Sequence, residues 1–198
     1  MRLIGLCGRS GSGKTGFCEI ARELGYKVID CDKVYAELVS HPSECLLEIE
    51  AHFGEEAVID GRLNRKAVAK IVFSDRKKLE LLNAITHKYI TERVFEIINS
   101  YGENELIILD APALFESGLD KKCDAIIGII APEEDCVERI IKRDSITAEQ
   151  ASSRLSNQRT NDFIIENSDY IVYNETTQEA FAEASYALLA AIKEEMTA

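Results

Sequence analysis

Positive charge is scarce in this chain: 23 lysines and arginines stand against 35 aspartates and glutamates, a formal net charge of −12 over 198 residues. Sequence-independent grip on nucleic acid needs a basic footprint, so that class of partner is excluded. A small anionic ligand is not, because a local nest of backbone amides can hold phosphate inside an acidic protein. No apolar run is long enough to span a membrane, which excludes a helical membrane anchor within the chain. The six cysteines form no CxxC pair and no cluster with metal-ligand spacing, and several sit in apolar runs as small hydrophobes. That pattern fits reduced thiols in a cytoplasmic protein. Internal repeats, low-complexity tracts and long linkers are also missing.

What remains is an ordinary globular composition, 46% hydrophobic and 29% charged, long enough for one sizeable core. Short apolar runs at Leu3–Cys7, Lys27–Cys31, Leu106–Asp110, Ala125–Ala131 and Tyr170–Asn174 read as buried strands. Helical periodicity fills the spaces between them. Phe17, Ile20, Ala21 and Leu24 share a face that ends at Gly25, and Val137, Ile140 and Ile141 form another stripe after Pro132. Thr147–Gln150 and Thr176–Glu179 both spell capping boxes. The last helix places Phe181, Ala184, Leu188 and Ile192 on one face. Non-alternating strands separated by helices imply an α/β fold, a parallel sheet covered on both sides. Between the second strand and Leu106 the pattern turns almost wholly helical, with Asp60-Gly61 the clearest turn and Ser74 placed to cap a long helix bearing Leu79, Leu82, Ile85, Tyr89 and Ile97. Such an insertion suits a substrate-binding subdomain; a scaffold or dimer surface is the alternative.

The stretch Gly8-Arg-Ser-Gly-Ser-Gly-Lys-Thr15 satisfies G-x-x-x-x-G-K-[ST] at every defined position, between an apolar strand and an amphipathic helix. Glycine lets successive N–H groups turn inward on an anion, and the next helix adds its free amides and the positive end of its dipole. Gly8, Gly11, Ser12, Gly13, Lys14, Thr15 and Gly16 are therefore the expected nucleotide cradle. Lys14 would reach the β- and γ-phosphates of ATP, and the Thr15 hydroxyl would hold Mg²⁺.

A guanine-nucleotide switch needs an [NT]KxD-like motif and a DxxG after the third strand; neither is present, since Ala111-Pro112-Ala113 follows Asp110. Small-molecule kinases remain, and they require an acceptor site, a carboxylate and closing cations. Asp30 and Asp32 lie at the end of the second apolar run. Either can take the acceptor proton, and either can serve as a helix cap. Asp110 ends a strand of the Walker B kind and can contact Mg²⁺, though strand-terminal aspartates are common. Arg139 and Arg143 share a helical face, and Arg154 follows; they read as cations for a transferring phosphoryl group or as solvated surface charge.

In order along nearly the whole chain, the phosphate loop, VIDCDKVYAELV (28–39), HFGEEAVIDGRLNRKAVAKIVFSD (52–75), LLNAITHKYI (81–90), LDAPALFESGLDKKCDAII (109–127), RIIKRDSITAEQASSRLSNQ (139–158) and SDYIVYNE (168–175) resemble the dephospho-CoA kinase family. The resemblance implies a three-layer α/β/α P-loop kinase fold with a five-stranded parallel sheet, in three parts. These are a nucleotide core at 1–32, 104–137 and 168–198, a helical CoA-binding subdomain at 33–103, and a lid at 138–167. It implies MgATP phosphorylating the ribose 3′-hydroxyl of dephospho-CoA, with Asp32 as base and Asp30 structural or assisting. It implies Lys14, Arg139 and Arg143 at the triphosphate, and substrate contacts at Asp32, His87, Asp110 and Arg154, with Gln158 in a later lid pattern. It implies Thr15 and Asp110 toward the metal. Departures from the family pattern are Arg9-Ser10 where Gly-Ile is common, Lys88 in place of a proline after His87, and Ala111 and Ala113 in place of bulkier residues. Arg9 would then add a nucleotide contact or point to solvent. A kinase for another nucleoside or sugar hydroxyl, and a nucleotide-dependent binding module, are the rival readings. Asn174 ends the fifth apolar run, and oligomeric state is unspecified by the sequence.

Overall fold

The computed structural model describes residues 1–197, with side chains described through residue 195. Along the chain run β1 (Arg2–Gly8), α1 (Lys14–Glu23), β2 (Lys27–Asp30), α2 (Cys31–Leu38), α3 (Glu44–Phe53), β3 (Val58–Ile59), β4 (Arg62–Leu63), α4 (Arg65–Ser74) and α5 (Arg76–Asn99). There follow β5 (Leu106–Asp110), β6 (Ala125–Ile130), α6 (Glu133–Asp144), α7 (Ala148–Ser156), α8 (Asn161–Glu166), β7 (Tyr170–Tyr173) and α9 (Gln178–Thr197). Two compact units result, one of residues 1–29 with 102–198 and one of residues 30–101.

In the first unit the five apolar runs form a parallel sheet in the order β2-β5-β1-β6-β7. The register sets Leu6 beside Asp110 on one flank of β1 and beside Ile127 on the other. Strands β1 and β5 are buried almost throughout, as central parallel strands must be when both faces are covered. One face carries the main core, where Ile4, Leu6, Ile108, Ile127 and Ile129 meet Phe17, Ala21, Phe181, Leu189 and Ile192 of α1 and α9. Each large aliphatic or aromatic chain so buried contributes roughly 1.5–3 kcal/mol. On the other face α8 lies against β6, and Gly128 has no room for a side chain: a Cβ there would stand 2.8 Å from Ile164 Cγ2 and Ser168 Oγ.

The sequence reading places two features of this unit one register away. The first turn of α9 is capped by Thr177, whose Oγ1 accepts from the Ala180 N–H at 3.2 Å, rather than by a box opening at Thr176. Its inner face is accordingly Phe181, Ser185, Leu189 and Ile192, while Ala184 is exposed. The Thr147 capping box is present as read, with Thr147 Oγ1 accepting from Gln150 N and Gln150 Oε1 accepting from Thr147 N.

The second unit is helical but not wholly so. The Asp60-Gly61 turn, with both residues at positive φ, closes a two-stranded hairpin that pairs Val58 with Leu63. Two positive-φ central residues make a tight turn that matches the strand twist. Ser74 ends α4, and Asp75 caps α5 by accepting from the Lys77 and Lys78 amides. A carboxylate there also complements the helix dipole, which a serine cannot do. Helix α5 runs unbroken through Lys88, whose ammonium donates at 2.9 Å to Glu48 Oε2, an acceptor also for the Tyr89 hydroxyl at 2.8 Å. Paired donors hold the Glu48 carboxyl below its ordinary pKa. Leu46, Ile49, Phe53, Val68 and Ile85 fill the core between these helices. No described helix is long and apolar enough to cross a membrane.

Candidate active site

Strand β1 runs straight into the glycine loop, and α1 begins at Lys14 with Gly13 as its N-cap. Gly8 (φ 155), Gly11 (φ 78) and Gly13 (φ 114) all take backbone angles closed to most side chains. Neighbours press on the loop as well. A Cβ would meet Ile129 O at 2.7 Å from Gly8, Cys136 O at 2.6 Å from Gly11 and Asn174 Nδ2 at 2.4 Å from Gly13. The three glycines thus let the loop lie against β6, α6 and the end of β7. Lys14 folds back along the loop, its ammonium donating to the carbonyls of Gly8 at 2.7 Å and Arg9 at 3.3 Å. Ser12 Oγ is buried with no hydrogen-bonding partner among the described residues, a polar group left for a ligand or water. The N-terminal amides of α1, the Lys14 ammonium and this hydroxyl fit a polyphosphate.

The loop is braced from outside by side chains that sequence reasoning did not assign to it. Asn174, almost fully buried, anchors its own N–H on Ile130 O and donates from Nδ2 to Ser12 O at 2.8 Å. Arg9 neither meets solvent nor stands clear for a nucleotide. It is 8% exposed, paired with Glu133 at 2.7 Å and donating to Leu155 O at 3.0 Å. Gln158 grips Ser10 at both ends, accepting from its N–H and donating to its hydroxyl, each at 2.9 Å. Arg139 donates to Gly11 O at 3.0 Å and pairs with Asp135 on its own helix. The backbone of the loop is therefore tied to α6, to the end of α7 and to the residue after β7.

Beside the loop, Thr15 is exposed in the first turn of α1. Asp110 ends β5, the strand next to β1, and Cys18, one turn beyond Thr15, donates from Sγ to Asp110 Oδ2 at 3.8 Å. Two hard oxygen donors on adjoining elements suit Mg²⁺, which takes few protein ligands and keeps its waters. Arg143 makes a two-pronged contact with Asp144, Nε to Oδ1 at 2.7 Å and Nη2 to Oδ2 at 3.0 Å, and Arg154 Nη1 also donates to Asp144 Oδ2. These guanidiniums hold the Asp144 carboxyl well below the usual carboxylate range.

The loop, Asp110 and the three arginines belong to the first unit. Asp30, Asp32 and His87 belong to the second. There Asp30 is the N-cap of α2, accepting from the Lys33 N–H at 3.1 Å, which gives it a structural task. Asp32 follows in the first turn of that helix, and His87 is half-buried midway along α5. Ala111 is buried and Ala113 half-buried, next to the fully buried Leu114.

A parallel sheet with a lysine-bearing glycine loop at the end of its central strand, touched by helices that carry Arg139, Arg143 and Arg154, defines a P-loop small-molecule kinase. The dephospho-CoA kinase family model matches residues 2–179, and the chain belongs to that family. It is 33% identical to the dephospho-CoA kinase of Listeria monocytogenes over 192 residues, covering 95% of this chain and 96% of that one. Among solved structures it resembles the Thermus thermophilus protein TT1252 with a TM-score of 0.83 at 30% identity, covering 98% of this chain and 97% of that one. It also resembles the dephospho-CoA kinase from Campylobacter jejuni with a TM-score of 0.73 at 26% identity, covering 98% and 99%.

Proposed function

We propose that this kinase transfers the γ-phosphoryl group of ATP to the ribose 3′-hydroxyl of dephospho-CoA, releasing ADP and CoA. The observation that carries the reading is the positive-φ glycine loop, braced on three sides, in a chain that matches its family from residue 2 to residue 179. In this reading the amides at the turn from the loop into α1 and the Lys14 ammonium bind the β- and γ-phosphates. Lys14 gives up the carbonyls of Gly8 and Arg9 for phosphate oxygens, and its charge then offsets part of theirs. Thr15 and Asp110 would hold Mg²⁺, which when bound neutralises charge on the phosphates.

Asp32 accepts the proton of the acceptor hydroxyl as the new P–O bond forms and the bond to the β-phosphate oxygen breaks. Asp30 is committed to capping α2, so it holds that turn in place and takes no proton. Arg139, Arg143 and Arg154 supply positive charge beside the phosphoryl group, and 138–167 closes as a lid to keep water from the γ-phosphate. Residues 33–103, His87 among them, take the CoA moiety. No helix among the described residues is long and apolar enough to cross a membrane, and we place the reaction in the cytoplasm. Coupled detection of ADP, with dephospho-CoA and with a panel of nucleosides and sugars, tests the assignment. Rapid turnover with dephospho-CoA alone supports it. Equal turnover with another hydroxyl compound, or slow acceptor-independent hydrolysis only, overturns it.

A further inference from the structure

Two helices touch the phosphate loop, and each carries an arginine close to its point of contact. On α6, Arg139 reaches Gly11 O, and Arg143 lies one turn further along the same face, a rise of about 6 Å. On α7, Leu155 receives Arg9, and Arg154 precedes it directly. Both arginines converge on one carboxylate, that of Asp144 at the corner between the helices. The corner itself is firmly built. Ser145 takes the left-handed conformation that ends α6 (φ 54, ψ 40), and the Thr147 capping box starts α7 two residues later. Beneath it, Ala131, Cys136, Ile140, Ala151 and Leu155 pack the two helices together.

We propose that Asp144 is a positioning residue that gathers Arg143 and Arg154 into one cationic pair aimed at the phosphates held by the loop. Two guanidiniums from different helices repel one another and would splay into solvent. A carboxylate with two acceptor oxygens sets their planes and spacing while leaving N–H groups of each to donate elsewhere. Asp144 itself touches neither nucleotide nor acceptor in this scheme. Both guanidiniums hold its carboxyl below the usual carboxylate range. The inference rests on the kinase reading above only for the identity of the phosphate donor.

The test measures the Kd of MgATP by calorimetry, without acceptor, for the full chain and its variants. Asp144→Asn is expected to weaken MgATP at least fivefold, and Asp144→Glu to recover binding to within about twofold of the parent. Added to Arg154→Ala, Asp144→Asn should cost less than it costs alone, because one of its two clients is already gone. An Asp144→Asn protein that binds like the parent overturns the proposal. So does a Glu variant no better than Asn, or a full additive loss in the Arg154→Ala background. Failure of the function reading looks different: the parent then binds MgATP but does not phosphorylate dephospho-CoA.

Discussion

Replacing Gly13 with alanine strains the molecule in two separable ways. The backbone there sits at φ 114, where an L side chain costs about 1–2 kcal/mol. The new methyl would also stand 2.4 Å from Asn174 Nδ2, so the amide must leave and Ser12 O loses its 2.8 Å hydrogen bond. Stripping a partner from a buried carbonyl costs about 1–3 kcal/mol, so Gly13→Ala should destabilise by about 2–5 kcal/mol. Asn174→Ala removes the same bond without the backbone strain and should cost about 1–3 kcal/mol. The double variant loses that bond only once, so its total should fall short of the sum by about 1–3 kcal/mol. Urea unfolding followed by circular dichroism on the four proteins reads the coupling directly. At this chain length each kcal/mol also moves the thermal midpoint by about 2–4 °C. Additivity to within about 0.5 kcal/mol would refute the idea that Asn174 and the loop glycine form one packed device.

In the proposed scheme Asp32 acts on the acceptor alone, so Asp32→Asn should lower kcat by at least about 10²-fold while the Kd of MgATP stays within about threefold; near-parental turnover removes the assignment. Burial raises the thiol pKa of Cys7 and Cys136 and pushes Cys45 up to about 11 and Cys123 up to about 12. Native protein at pH 8 should therefore label slowly at these four with a thiol reagent, and rapidly once unfolded in urea. Since the unfolded chain releases these protons first, near pH 9, stability should fall as pH rises above about 9 toward the folded values. A urea midpoint unchanged between pH 8 and pH 10 contradicts that. Ser145→Gly relieves a non-glycine residue in the left-handed region at the end of α6 and should stabilise by about 1 kcal/mol, read as a rise of about 2–4 °C in the melting midpoint.

Local physics made much of the fold legible. Five apolar runs became five strands because a parallel sheet covered on both sides asks every position of a central strand to be apolar. The errors were local competitions between equivalent residues. Ser74 and Asp75 can both cap a helix, and the carboxylate wins by reaching two amides and opposing the dipole. Thr176 and Thr177 differ only by which one turns the apolar face of α9 inward, and burial of Ser185 and Leu189 decided for the second. The 58–63 hairpin is two residues per strand, too short to show alternation.

The loop was readable because its chemistry is written in consecutive residues; the structure that holds it is not. Asn174 is 162 positions from the carbonyl it supports, and Gln158 is 148 from Ser10. No periodicity links such pairs. One signal did exist for Arg9: an arginine placed inside a glycine loop, where a small residue is common in the family, needs a carboxylate within reach if it is to be buried. Glu133, at the start of a helix that leaves the neighbouring strand β6, is such a carboxylate. The departure at residue 9 is thus one half of a long-range pair. Its meaning lay in the need of a buried guanidinium for partners, met here at Nη1 by Glu133 and at Nη2 by Leu155 O, which is a property of the folded neighbourhood and not of the motif.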